Sequence, residues 1–253
     1  MDLIHGNALA ILKDFAKESI DMVITSPPYD KLRNYKDIDE FEFSFIADEL
    51  VRILKPGGVI VWIVGDSTVN GTETGTSFKQ ALYFKSKGLN LHDTMIFAKN
   101  NPMPQIYRSR YTNEFEYMFV LTKGTPVTHN PIMIPTKFPG ATPYNKNYSK
   151  KEQKRNSHTT TVKKEKIKGN IWYYTVGAKK IDKTAKFHPA AFPYELAKDH
   201  VLSWSKEGDV VLDPMMGSGT VGMVCQDHER DFVGIEIVKE YYDQAKERIG
   251  GIY

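Results

Sequence analysis

The chain has a single cysteine, Cys225, among 253 residues, so no disulfide can form within it and a cysteine-built metal site is excluded. Its seven histidines are scattered without an H-x-x-x-H spacing, and nothing recommends a metal site. No stretch approaches the ~18 consecutive apolar residues of a membrane helix. The opening MDLIHGNALAIL lacks the basic-then-apolar layout of a secretory signal. A cytoplasmic protein without a membrane partner is the expectation.

What is present is ordinary in bulk, at 41% hydrophobic and 26% charged, and the length suits one large domain or one domain with a sizeable insertion. The net charge of +3 conceals an uneven distribution. Residues 123–186 carry 15 lysines and arginines against three acids, so that segment stands at +12 and the remainder at −9. Tyr144, Tyr148, Trp172, Tyr173 and Tyr174 are interleaved with the charges. Such a segment is either a solvated loop or a surface for a polyanion with stackable bases. On the second reading the contacts come from Lys150, Lys151, Lys154, Arg155, Lys163 and Lys164, joined from outside the segment by Arg33, Tyr35, Arg108 and Arg110. Trp172 either anchors the segment to the rest of the chain or stacks on a base.

Outside that segment, short β-branched runs alternate with helical patterns. MDLIH, DMVIT, VIVWIVGD, HDTMIFAK, EFEYMFVLTKG, DVVLD and DFVGIEI read as strands. FSFIADELVRIL, SFKQALYFKSKG, FHPAAFPYELAKDHVLSWS, GTVGMVCQDH and VKEYYDQAKERI read as helices, and the Lys55–Pro–Gly–Gly58 stretch as a structural turn. This alternation predicts an α/β fold, a doubly wound, mostly parallel sheet of seven strands, Rossmann-like. The expected division is 1–122, an inserted basic region 123–186, and 187–253 returning to the first domain. Ligands of such sheets bind beyond the carboxyl ends of the strands, and two unusual turns stand there.

The first is SPPY after DMVIT. Pro27 and Pro28 have no N–H for a ladder and end the strand abruptly. They also hold Ser26 and Pro27 extended, so the Ser26 hydroxyl and the Pro27 carbonyl are presented stiffly. The exocyclic amine of cytosine or adenine is a poor nucleophile because its lone pair is delocalised into the ring. Two oxygens, one for each N–H, favour the more tetrahedral nitrogen of the transition state. Tyr29 offers a flat face for a base turned out of a duplex.

The second is DPMMGSGTVG after DVVLD, where Gly217, Gly219 and Gly222 match G-x-G-x-x-G. The match alone suits a nicotinamide or flavin dinucleotide. Asp213 and Pro214 lengthen the turn, however, and an acid there disfavours a pyrophosphate and suits an ammonium. Glu236, ending the following strand, suits the two hydroxyls of a ribose. Together these describe S-adenosylmethionine. Methylation of the cytosine ring carbon would need a thiolate, and Cys225 lies on an expected helix as a small core residue. Asp66 either faces the site or caps a helix.

TSPPY with LRNY after it, DPMMGSGT with GIEI, and the stretches LIHGN, ELVRILKPGGVIVW, EFEYMFVLTKG and FHPAAFPYEL resemble the amino-group DNA methyltransferases of restriction–modification systems. The catalytic motif precedes the cofactor motif with the basic region between them, as in the β group. The resemblance implies Ser26, Pro27, Pro28 and Tyr29 as catalytic motif. It implies Asp213, Pro214, Gly217, Ser218, Gly219 and Thr220 on the methionine side of the cofactor and Glu236 at the ribose. Asn7 lies where the family often has aspartate near the adenine, and His188, Pro189 and Pro193 help close the methionine pocket. Met215 and Met216 depart from the commoner aromatic, which removes a stacking role there. The 123–186 region becomes the target-recognition region. Ser26 in first place, with LRNY, resembles the members that modify the 4-amino group of cytosine; Asp-Pro-Pro-Tyr typifies those acting on adenine. The implied partners are DNA with a specific recognition sequence and a companion endonuclease, for a monomer or homodimer. An adenine 6-amino DNA methyltransferase is the competing reading, and a non-catalytic nucleic-acid binder or a dinucleotide-dependent reductase the remoter ones.

Overall fold

A computed structural model describes residues 1–28, 42–104, 110–141, 161–177 and 193–250. The β-branched runs form β1 (Asp2–His5), β2 (Ile20–Thr25), β3 (Leu54–Val64), β6 (Asn90–Lys99), β7 (Phe115–Thr122), β11 (Val210–Asp213) and β12 (Asp231–Glu236). Short strands β4 (Thr68–Val69) and β5 (Thr72–Glu73) make a hairpin, and β8 (Met133–Pro135), β9 (Glu165–Ile167) and β10 (Ile171–Tyr174) fall within the basic region. The helices are α1 (Ala8–Ile11), α2 (Phe43–Ile53), α3 (Thr76–Ser86), α4 (Tyr194–Trp204), α5 (Thr220–Asp227) and α6 (Lys239–Gly250).

The main sheet runs β1-β12-β11-β2-β3-β7-β6-β10. β7 is antiparallel to both of its neighbours, and every other pairing is parallel. The seven expected strands are therefore joined by an eighth, β10, at the β6 edge. Parallel strands need both faces covered, and alternate residues show it. Ile60, Trp62 and Val64 of β3 share a core with Leu50 and Ile53 of α2 and Phe84 of α3. Val59, Val61 and Ile63, pointing the other way, are equally buried; helices α4, α5 and α6 pack on one another there, α4 against β2 and α5 against β11 and β12. Each large side chain so buried contributes about 1.5–3 kcal/mol.

The Lys55–Gly58 stretch is not a separate turn but lies inside β3. Ile20 pairs with Leu54 and Met22 already with Val59, so the extra residues form a bulge, with Gly57 in the left-handed region at φ 79°. Lys55 is tied down by Asp21 at 2.7 Å.

Two compact units emerge, 1–130 with 170–253, and 131–169. The small unit is narrower than the expected 123–186. Lys123 belongs to the large one, where its ammonium donates to the Leu54 and Val51 carbonyls at 2.8 and 3.1 Å. Trp172 on β10 is buried, 5% exposed, and packs on the His200 and Tyr174 rings; it anchors the returning chain, while Tyr173 is 65% exposed. In the small unit β8 pairs antiparallel with β9, and Gly140 and Ala141 exchange backbone hydrogen bonds with Val162.

Candidate active site

From β2 the chain crosses through α2 to β3 on one side; from β11 it crosses through α5 to β12 on the other. β2 and β11 are neighbours, so the strand order reverses between them, and both unusual turns leave the sheet at that crevice.

Asp213 closes β11 and is 4% exposed. Its Oδ1 accepts from the Thr25 hydroxyl at 2.8 Å and the Met215 N–H at 3.1 Å; Oδ2 receives neither. Burial disfavours the charged form, and although both hydrogen bonds favour it, the carboxyl is pushed up to about 7. The nearby Glu236 carboxylate adds to the rise. A buried acid with no cation beside it among the described residues suits a ligand cation.

The chain then turns through Gly217 (φ 52°) and Gly219 (φ 78°) into α5. At Gly219 a Cβ would come within 2.9 Å of Ala245 Cβ, and at Gly222 within 2.4 Å of Ile249 Cδ1 and 2.7 Å of the Phe232 ring. Two of the three fingerprint glycines therefore serve the packing of α5 on α6 and β12, in addition to any close approach to a ligand. Met216 is buried with its sulfur where a Gly234 Cβ would stand, which explains a flexible thioether at that position. Glu236 Oε2 accepts from Gly217 N–H at 2.9 Å and Oε1 from Val238 N–H at 2.8 Å. Burial raises its pKa against the lowering effect of those amides. The Ile237 amide also lowers it, and a carboxylate has about four acceptor sites, so capacity remains for a hydroxyl donor.

Asn7 follows the carboxyl end of β1, beside Glu236 through the His5–Glu236 register. It is exposed, but its side chain already caps α1 by accepting from Leu9 N–H at 2.9 Å. Pro193 takes the N-cap position of α4 without a side-chain hydrogen bond, and Pro214 is buried in the turn. Ser218 and Thr220, expected to line the cofactor, direct their hydroxyls to Arg248 of α6, at 2.9 and 3.5 Å. Arg248 also donates to the Ser218 carbonyl and is 5% exposed. It is a buried guanidinium bracing the turn from behind.

At the β2 end, Ser26 and Pro28 are half-buried and Pro27 buried. Tyr29, Arg33, Tyr35, Arg108, Lys150, Lys151, Lys154, Arg155, His188 and Pro189 lie outside the described residues. Lys163 and Lys164 are exposed on the small unit. Arg110 donates to the Gly71 carbonyl and pairs with Glu73 at 3.5 Å, so a phosphate would have to compete with the β4–β5 hairpin. Asp66 caps α3, accepting from Ser77 N–H at 2.9 Å and its hydroxyl at 2.5 Å. Cys225 is fully buried, and burial pushes its thiol up to about 12, which fits a core residue and not a nucleophile. Among the described residues no helix is long and apolar enough to cross a membrane, and no group of three or more metal-ligating side chains is assembled.

Sequence reasoning missed Thr25 and Arg248. A threonine ending a strand and an arginine in a terminal amphipathic helix carry no local signal of their distant partners.

The DNA methylase family model matches residues 20–247. The orphan methyltransferase M.BamHII of Bacillus amyloliquefaciens is 47% identical over 238 residues, covering 91% of this chain and 89% of that protein. The type II methyltransferase M.Cfr9I of Citrobacter freundii is 30% identical, with 98% and 87% covered. Among solved structures, the M1.HpyAVI–SAM complex superposes with a TM-score of 0.62 at 25% identity over 98% of both chains. A match spanning both strand-end turns and the region between them removes the dinucleotide reading of the glycines: the chain belongs to the N6/N4 DNA methylase family.

Proposed function

We propose that this protein is a site-specific DNA methyltransferase that transfers a methyl group from S-adenosylmethionine to the 4-amino group of cytosine. The observation that carries the reading is the adjacency of β2 and β11, which brings the amino-group corner and the glycine turn to one crevice although the motifs are 188 residues apart along the chain.

The donor, when bound, supplies an electrophilic methyl carbon on a sulfonium. Asp213 meets its ammonium through the unfilled side of a buried carboxylate, and Glu236 takes the ribose hydroxyls while continuing to hold Gly217. Ser26 Oγ and the Pro27 carbonyl accept the two N–H groups of the target amine, localising its lone pair for in-line attack. Tyr29 supplies the stacking face for the turned-out base. Cytosine is favoured by Ser26, since aspartate in that place is typical of adenine-specific members.

The small unit, with ten lysines and arginines against two acids in residues 131–169, supplies DNA contact and target recognition, through Lys163 and Lys164 among others. Its charge predicts a steep fall of affinity with salt. The type II name of M.Cfr9I supports a role beside a companion endonuclease, and the orphan name of M.BamHII supports action alone.

Mass analysis of nucleosides after incubation with DNA and tritiated donor tests the reading. N4-methylcytosine is expected, and N6-methyladenine would replace the target assignment. Tight DNA binding without label would convert the enzyme into a binder. Ser26→Ala and Tyr29→Ala should abolish transfer while leaving donor binding nearly intact; full activity in Tyr29→Ala would remove the stacking role.

A further inference from the structure

Asp213 ends β11 and Thr25 ends β2, and their side chains meet in a buried hydrogen bond of 2.8 Å. Thr25 is 1% exposed. The residue after it is Ser26, the first of the two proposed amine acceptors, and the proline pair transmits the direction of the chain at Thr25 without slack. One residue thus touches the proposed donor site with its side chain and aims the amine corner with its backbone. Its hydroxyl also takes up half of the hydrogen bonding at Asp213 Oδ1.

We propose that Thr25 is a positioning residue that couples the methyl-donor site to the amino-group corner. It holds Asp213 as a carboxylate aimed at the donor ammonium, and the same bond fixes where Ser26 and Pro27 stand. The inference rests on the methyltransferase reading above. The hydroxyl favours the ionised form of Asp213; burial opposes it most, and the Glu236 carboxylate on β12 adds to that, while the Cys225 thiol on α5 feels the Asp213 charge in turn. Loss of the hydroxyl leaves Asp213 with the Met215 amide alone.

Thr25→Val keeps the shape and removes the donor. A hydrogen bond to a charged group is worth about tenfold or more in an equilibrium. Binding of S-adenosylmethionine by calorimetry should weaken about tenfold at pH 7.5. The acid limb of its pH profile should move to higher pH, and kcat for DNA methylation should fall beyond what saturating donor restores. Thr25→Ser should recover affinity, profile and kcat together, and Thr25→Cys, a weaker donor, should stand between Ser and Val. The ordering Thr and Ser above Cys above Val is read among whichever variants fold, by thermal melting, so a collapsed valine variant does not remove the test. A pH profile unmoved in Thr25→Val or Thr25→Cys, or a serine variant no better than either, overturns the coupling. If the unaltered protein neither binds the donor nor labels DNA, the methyltransferase reading itself has failed, a separate outcome.

Discussion

Replacing Asp213 by asparagine should stabilise the ligand-free protein while greatly weakening donor binding. Asparagine keeps an oxygen for the Thr25 hydroxyl and the Met215 amide, now at Oδ1 of an amide, and removes the buried charge. In the native protein the carboxyl is raised from 3.8 to about 7. An acid whose folded pKa lies above its unfolded one holds its proton in the folded state where the unfolded chain has already lost it. Stability from this group is therefore full below pH ~4, falls as pH rises, and levels off above pH ~7. At 1.36 kcal/mol per pKa unit, a rise of about three units amounts to about 4 kcal/mol, an upper figure that relaxation reduces. Urea unfolding of both proteins without ligand at pH 5, 6, 7 and 8 measures it. The difference should grow in favour of Asp213→Asn across that range, by at least 1 kcal/mol at pH 8. S-adenosylmethionine should bind the variant about a hundredfold more weakly, because the ammonium loses a desolvated partner. Parallel stability curves, or an asparagine variant that binds the donor normally, would refute the assignment of a charge-deficient acid awaiting a cation.

Gly222→Ala should cost about 1–3 kcal/mol by overpacking, since its Cβ meets Ile249 and Phe232, with unfolding midpoints as the readout and the better helix propensity of alanine offsetting part of the loss. Arg248→Met should strand the Ser218 and Thr220 acceptors; a loss of about 1–3 kcal/mol and a raised KM for the donor, with the KM for DNA unchanged, are expected from melting and steady-state kinetics. Cys225→Ala should leave kcat within about twofold, because burial keeps the native thiol protonated and unreactive, and iodoacetamide should alkylate the unaltered chain only after it is denatured; loss of transfer without loss of folding would return the thiol to the mechanism.

The sequence by itself determined seven of the eight strands of the main sheet, the five longer helices and the two turns that leave the sheet, because those depend on local chemistry. Two prolines cannot stay in a ladder, glycine tolerates the left-handed turn at 217 and 219, and short continuous apolar runs must be buried on both faces. It also located the basic region, since charge is read residue by residue. Tertiary structure alone decided that Thr25 would meet Asp213 across 188 residues, that Arg248 would brace Ser218, and that Gly219 and Gly222 answer to α6 and β12. It likewise placed β10 in the main sheet, took Lys123 into the body, and committed Arg110 to the β4–β5 hairpin. Those outcomes follow from strand order and from which side chains the closing of the sheet brings within hydrogen-bonding distance, and neither is written in the spacing of neighbours along a chain.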